Sequence, residues 1–151
     1  MSFSAHSPLG FAQFRVARPT ASLKLTRQFY GPSGLGLPEI GAFADHAGYS
    51  GVMFGLPDAK FHLEFTEFTG TAKTATAHSP PSVAPPSGDN LLVFYVPDVE
   101  ERNAAVARLV AAGGTVVPSE NPYWDADGVT VQDNDGWRVV LQNTKGLPVK
   151  P

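Results

Sequence analysis

The chain contains no cysteine, which excludes disulfides, thiolate metal sites and a cysteine nucleophile. Charge is sparse as well. Asp, Glu, Lys and Arg make up 17% of the 151 residues, against roughly 25% in an average soluble domain. The net charge is −3 with no basic cluster, so the electrostatic footprint of a nucleic-acid binder is missing. No apolar run approaches the roughly 20 residues needed to span a bilayer. The opening MSFSAHSPLGFAQFR lacks the basic and apolar regions of a signal peptide. A cytoplasmic protein with neither nucleic acid nor membrane as partner is expected. Turn formers, in contrast, are plentiful: 15 glycines and 14 prolines stand beside a hydrophobic fraction of 42%. That mixture suits a turn-rich α+β domain, and the length is enough for one buried core.

Residues 69–88 read TGTAKTATAHSPPSVAPPSG and offer almost nothing to bury. Such a stretch cannot offset its own ordering entropy and is expected to be a flexible linker, with Lys73 and His78 doing nothing specific. It separates a module at 11–68 from a second at 89–144, with tails at 1–10 and 145–151.

The first module opens on a strand-like run, Gln13 to Arg18, stopped by Pro19. A helix follows to Tyr30, capped by Thr20 or Ser22, whose side-chain oxygen can accept from the free first-turn amides. GPSGLGLP then ends it. Short strands are expected at 39–43, 51–55 and 61–65, the last two joined by a turn at Pro57–Lys60. The second module repeats the order. Leu91 to Val96 is a strand, and Asp98 caps a helix carrying Val99, Val106, Leu109 and Val110 on one face, stopped by Gly113-Gly114. Strands follow at 115–117, 129–132 and 137–142, with Asp133-Asn134-Asp135-Gly136 as a hairpin signal.

One offset superposes the modules. Moving 76 residues on takes cap Ser22 to cap Asp98, turn Pro57–Lys60 to turn Asp133–Gly136, and strand FHLEF to strand WRVVL. Agreement of three unrelated landmarks indicates a duplicated βαβββ unit. A single ferredoxin-like α+β domain, the structural rival, does not predict the shared offset.

Four stretches carry a further resemblance: FRVARPTASLKLTRQFY with GLGL, GVMFGLPDAKFHLEF, LLVFYVPDVEERNAAVARLVAAGG and DGVTVQDNDGWRVVLQN. Together they resemble the vicinal oxygen chelate superfamily of glyoxalases, bleomycin-resistance proteins, fosfomycin-resistance enzymes and extradiol dioxygenases. The resemblance covers about Phe11 to Asn143 outside the linker. It implies tandem βαβββ modules forming a half-open barrel cavity, and a homodimer. It also implies four metal-ligand slots, on the first and last strand of each module. In this chain those slots fall at Arg15, Glu64, Leu91 and Val140. Glu64 alone has a lone pair to give, and about three protein ligands are usual for a catalytic divalent ion. No metal and no other cofactor are therefore predicted.

Strand alternation next decides what shares the cavity. With Glu64 facing in, His62 and Thr66 face in beside it, while Phe61, Leu63 and Phe65 face the helix layer. The same count turns Leu91, Val93 and Tyr95 inward, and Arg138, Val140 and Gln142 as well. The expected cavity is apolar with a few placed polar groups, as small-molecule pockets are. Arg15, Tyr95, Trp124, Arg138 and Gln142 are the candidate ligand-binding residues, and His62 with Glu64 the candidate catalytic pair.

Each residue has a plainer alternative. Arg15 either binds a substrate anion or forms a salt bridge with Glu64. His62 is either a general base oriented by Glu64 or a hydrogen-bonded structural histidine. Trp124, in the loop SENPYWDADG, either stacks on a flat ligand or caps the sheet. His46 sits on a solvated loop unless a displaced metal site of His46, His62 and Glu64 recruits it. The expected function is binding of a small aromatic or anionic molecule without a metal. The alternative is a glyoxalase-type lyase or isomerase, or a dioxygenase-like enzyme, working through His62 and Glu64 or the displaced site. A dimeric interaction module with a vestigial cavity is a third reading.

Overall fold

The computed structural model describes residues 9–55, 58–70 and 81–148. Two four-stranded mixed sheets form, one from each half of the chain. The first module contributes β1 (Phe14–Pro19), α1 (Leu23–Tyr30), β2 (Glu39–His46), β3 (Tyr49–Gly55) and β4 (Phe61–Phe68). The second contributes β5 (Leu91–Tyr95), α2 (Val99–Ala111), β6 (Thr115–Val117), a short turn of helix α3 (Tyr123–Ala126), β7 (Gly128–Gln132) and β8 (Arg138–Gln142). Strand orders are β1-β4-β3-β2 and β5-β8-β7-β6, the same connectivity twice. In both sheets the first strand runs parallel to the last. Arg15 pairs with His62 and, 76 residues on, Leu91 pairs with Arg138. The duplication read from three landmarks is thus a duplication of hydrogen-bond register.

The local signals explain most boundaries. Ser22 caps α1, its Oγ accepting from Leu25 N at 3.2 Å. Asp98 caps α2, its Oδ1 accepting from Glu100 N and Glu101 N at 2.8 and 3.0 Å. The Asp133–Gly136 turn closes the β7–β8 hairpin with Gly136 at φ 92°, a backbone region that glycine enters without Cβ strain. The other turn, Pro57–Lys60, lies partly outside the described residues.

Several expectations need correction. Strands β2 and β3 run on to meet in a tight hairpin at residues 46–49, so His46 is the last residue of a strand. Asp45 and Ala47 take left-handed backbone there (φ 48° and 51°), a conformation that composition did not signal. On α2 the buried face is Ala105 and Leu109 with Val106 against them, while Val99 and Val110 are exposed. The latter two lie about 80–100° round the helix from Leu109, beyond Val106. The expected flexible linker at 69–88 is in part anchored. Trp137 Nε1 donates to Val83 O at 2.7 Å, and Gly88 N donates to Glu120 Oε1 at 3.2 Å. Both bonds join the backbone of residues 81–88 to side chains of the second module. Lys73 and His78 lie outside the described residues.

One core serves both modules. Phe29 and Tyr30 of α1 join Val52, Phe54, Leu63 and Phe65 with Leu109, Val131, Val139 and Leu141 of the second half. Tyr30 and Phe65 rings lie 4.4 Å apart. The helix-facing sides of both sheets therefore meet within one chain, which leaves the opposite side of each sheet to carry the candidate site.

Candidate functional site

On the first sheet, alternation places Arg15 (β1) with His62 and Glu64 (β4) on the side away from α1, as expected. Arg15 joins the three. Its NH1 donates to Glu64 Oε2 at 2.7 Å and its Nε donates to His62 Nε2 at 2.8 Å. A guanidinium can only donate, so Nε2 is the unprotonated ring nitrogen and Nδ1 carries the proton. Glu64 reaches Arg15 rather than His62. The carboxylate that was to orient an imidazole instead holds a cation, and the cation covers the lone pair a general base would use. The Arg15 side chain is 43% exposed and the Glu64 side chain 12%. Three of the five guanidinium N–H groups are left for water or a ligand once these two bonds are made.

The second sheet presents a different surface. Val140 and Thr130 are buried, and Gln142 is 4% exposed. Gln142 pairs with Tyr95 on one side and Gly128 on the other. Helix α3 packs over this end and carries Trp124, whose ring lies 5.0 Å from that of Tyr123, edge to face. A Cβ at Gly128 would collide with Gln142 Oε1 and Trp124 O, so glycine is what lets the α3 turn close on the strand. Beneath it Gln142 Oε1 is buried without a hydrogen-bond partner among the described residues. Such an orphaned acceptor costs about 1–3 kcal/mol. Arg138 is committed elsewhere, its Nε donating to Gln132 Oε1 at 3.3 Å and its NH1 to Gly88 O at 3.4 Å. Tyr95 is 47% exposed and lies under Gly146.

The structure brings Arg15, His62 and Glu64 together, and separately Tyr95, Gln142 and Trp124 around the β5–β8–β7 end. Of five cavities of about 300 to 900 Å3 among the described residues, none is lined from both sets. His46 does not join the first set. Glu64 is level with Met53 and Gly41, whereas His46 is level with Tyr49 and Phe68. Four residues along a strand is about 13 Å, too far for a shared ion. Among the described residues no cluster of three or more metal-ligating side chains forms. The donor set at the superfamily's four slots does not fit a divalent ion. A cation sits at the first, hydrocarbon at the third and fourth, and Glu64 is already paired.

Reading the sequence missed a buried polar group between the modules. Tyr30 OH donates to Asp133 Oδ2 at 2.6 Å, and Asp133 Oδ1 accepts from Asp135 N and Trp137 N at 2.8 and 3.0 Å. Thr20 Oγ1 donates to Asp135 Oδ2, and the Arg18 guanidinium lies 4.3 Å from the Trp137 ring centre. Burial raises the Tyr30 phenol well above its ordinary range, and the facing Asp133 charge adds to this. Burial likewise raises the Asp133 carboxyl. Asp133 read as a turn former and Arg18 as a strand end, so no sequence signal was available.

Family models match both halves of the chain. Residues 14–66 match the YycE-like N-terminal domain and residues 89–143 the YycE-like C-terminal domain. The YycE protein of Bacillus subtilis (strain 168) is 49% identical over 139 residues, 92% of this chain and 93% of that protein. The chain belongs to the YycE-like family. A crystal structure of a Bacillus subtilis YycE protein of unknown function superposes with a TM-score of 0.76 at 48% identity, covering 92% of this chain and 94% of that one. More distant folds of the same kind surround the family. A fosfomycin resistance protein from Listeria monocytogenes, solved with Mn(II), gives a TM-score of 0.60 at 16% identity over 91% and 94% of the chains. An antibiotic binding protein from Streptomyces sp. CB03234 gives 0.55 at 20% identity over 91% and 98%. YycE-like proteins therefore have the tandem βαβββ fold of the vicinal oxygen chelate superfamily.

Proposed function

We propose that this YycE-like protein binds a small aromatic or anionic molecule without transforming it, and without a divalent metal. The observation that carries this reading is the orphaned Gln142 Oε1, a buried acceptor on the sheet face where the α3 turn closes against Gly128. A ligand N–H or O–H would satisfy it, and the indole supplies a flat surface for stacking. Arg15 supports the anionic part, since its open edge keeps N–H groups for a carboxylate or phosphate. The covered lone pair of His62 and the poor donor set favour binding over chemistry. A homodimer belongs to the proposal, because a second copy is needed to set the Arg15 face of one chain against the Gln142 face of the other.

Thermal-shift screening of flat aromatic antibiotics and small anions, with recovery of each compound afterwards, tests the reading. A hit should raise the melting temperature and be recovered unchanged. Gln142→Leu should stabilise the free protein by about 1 kcal/mol, since it removes the orphaned acceptor. The same change should weaken the hit about tenfold, the worth of one such hydrogen bond. Consumption of the compound, abolished in Glu64→Gln, would replace the binding reading with the enzymatic one. A monomer by sedimentation that still binds the hit would remove the homodimer from the proposal.

A further inference from the structure

Between the modules, on the helix-facing side of both sheets and apart from the proposed site, lies a cavity of about 300 Å3. Val16, Leu37, Phe54, Leu63, Leu92 and Phe94 form its walls, and every other residue lining it is apolar too. Phe14 and Phe61 form its rim. Their rings stack with centres 5.6 Å apart at 22°, yet they remain 51% and 43% exposed. A second cavity of about 400 Å3 shares Leu37 and Phe94 with it and carries the charged residues Glu101 and Arg108. None of the described residues that line the first carries a charged or polar side chain.

Three facts point to the occupant. Water needs two to four polar partners and no lining side chain among the described residues offers one, so the space favours an apolar guest. An apolar cavity of about 150 Å3 takes up benzene, so one twice as large has room for a fused bicyclic ring. Four aromatic rings, Phe14, Phe54, Phe61 and Phe94, offer faces and edges for stacking. We propose that this inter-module cavity is a second binding site, for a small uncharged aromatic molecule. A carboxylate is disfavoured there by desolvation, because no lining side chain would pair with it.

The probes are naphthalene and its charged analogue 1-naphthoate, added to the full chain. Naphthalene is expected to raise the melting temperature and to give NOEs to the methyl groups of Leu63 and Leu92. The naphthoate should bind more weakly by about tenfold or more. Leu92→Trp fills the cavity from the β5 wall and should weaken naphthalene binding by about tenfold or more. Val16→Phe fills it from the β1 wall and serves the same purpose should the first variant fail to fold. Gln142→Leu and Arg15→Ala should leave naphthalene binding unchanged, which separates this site from the proposed one. Absence of any shift or NOE at saturation would overturn the proposal. So would naphthalene binding that survives the filled cavity or that is lost in Gln142→Leu.

Discussion

Replacing Asp133 with alanine should destabilise the protein by about 3 kcal/mol, a large share of the roughly 5–15 kcal/mol that holds such a domain folded. The carboxylate accepts from Tyr30 OH, Asp135 N and Trp137 N, and all three lose their partner at once. Tyr30 is fully buried, so its hydroxyl has no water to turn to. Urea unfolding reads the loss, and a change near zero would show that the network is not holding the modules together. Asp133→Asn is the informative companion. It keeps an acceptor for the two turn amides, and Tyr30 OH can turn to accept from the new NH2 group. The pH dependence separates the two. Because burial raises the Asp133 carboxyl, its contribution to stability is fully present below the unfolded value of 3.8 and is lost as pH rises through the raised folded value. The native protein should therefore gain stability relative to Asp133→Asn as pH falls from neutral toward that value. A difference between the two that does not vary with pH would remove the titration of Asp133 from the account.

Phe29→Ala should cost about 3–5 kcal/mol, as large-to-small changes at buried aromatic positions do. Phe29 is 1% exposed and its ring packs against Tyr30 at 4.8 Å. It also crosses between modules. A Cβ placed on Gly114 would lie 2.8 Å from the Phe29 ring and 2.8 Å from Val131, so the ring sits against the second half of the chain. Deleting it leaves a cavity bounded by both modules. Unfolding should remain one transition, shifted to lower denaturant, because the two sheets share one core. Two resolved transitions in the native protein would mean that the modules fold independently. The inter-module cavity would then be a gap between bodies rather than a site.

The part of this architecture legible in the sequence was the part that local chemistry specifies. Ser22 and Asp98 were readable as caps because a side-chain oxygen facing first-turn amides acts within three residues. The Asp133–Gly136 turn was readable because glycine at a left-handed position is a local need. Repetition of such signals at one offset was enough to reveal two modules, and alternation along β4 placed His62 and Glu64 on one face. The Arg15–Glu64 pair was among the alternatives, since a cation and a carboxylate across parallel neighbours attract whatever else the fold does.

What lay beyond the sequence was every contact set by how the halves meet. Arg138 and Gln142 sit at equivalent alternating positions on one strand. Only the packing of residues 81–88 and of α3 decides that the first is tied to Gly88 and the second buried without a partner. Tyr30 and Asp133 are 103 residues apart, and nothing near either one announces the other. Caps, turns and strand alternation are settled over a few residues by sterics and short-range hydrogen bonding, and these the sequence determined by itself. The shared core, the inter-module polar network, the covered lone pair of His62 and the apolar cavity come from side chains brought together by the closing of two sheets. That closure is a property of the folded shape, and only the tertiary structure decided it.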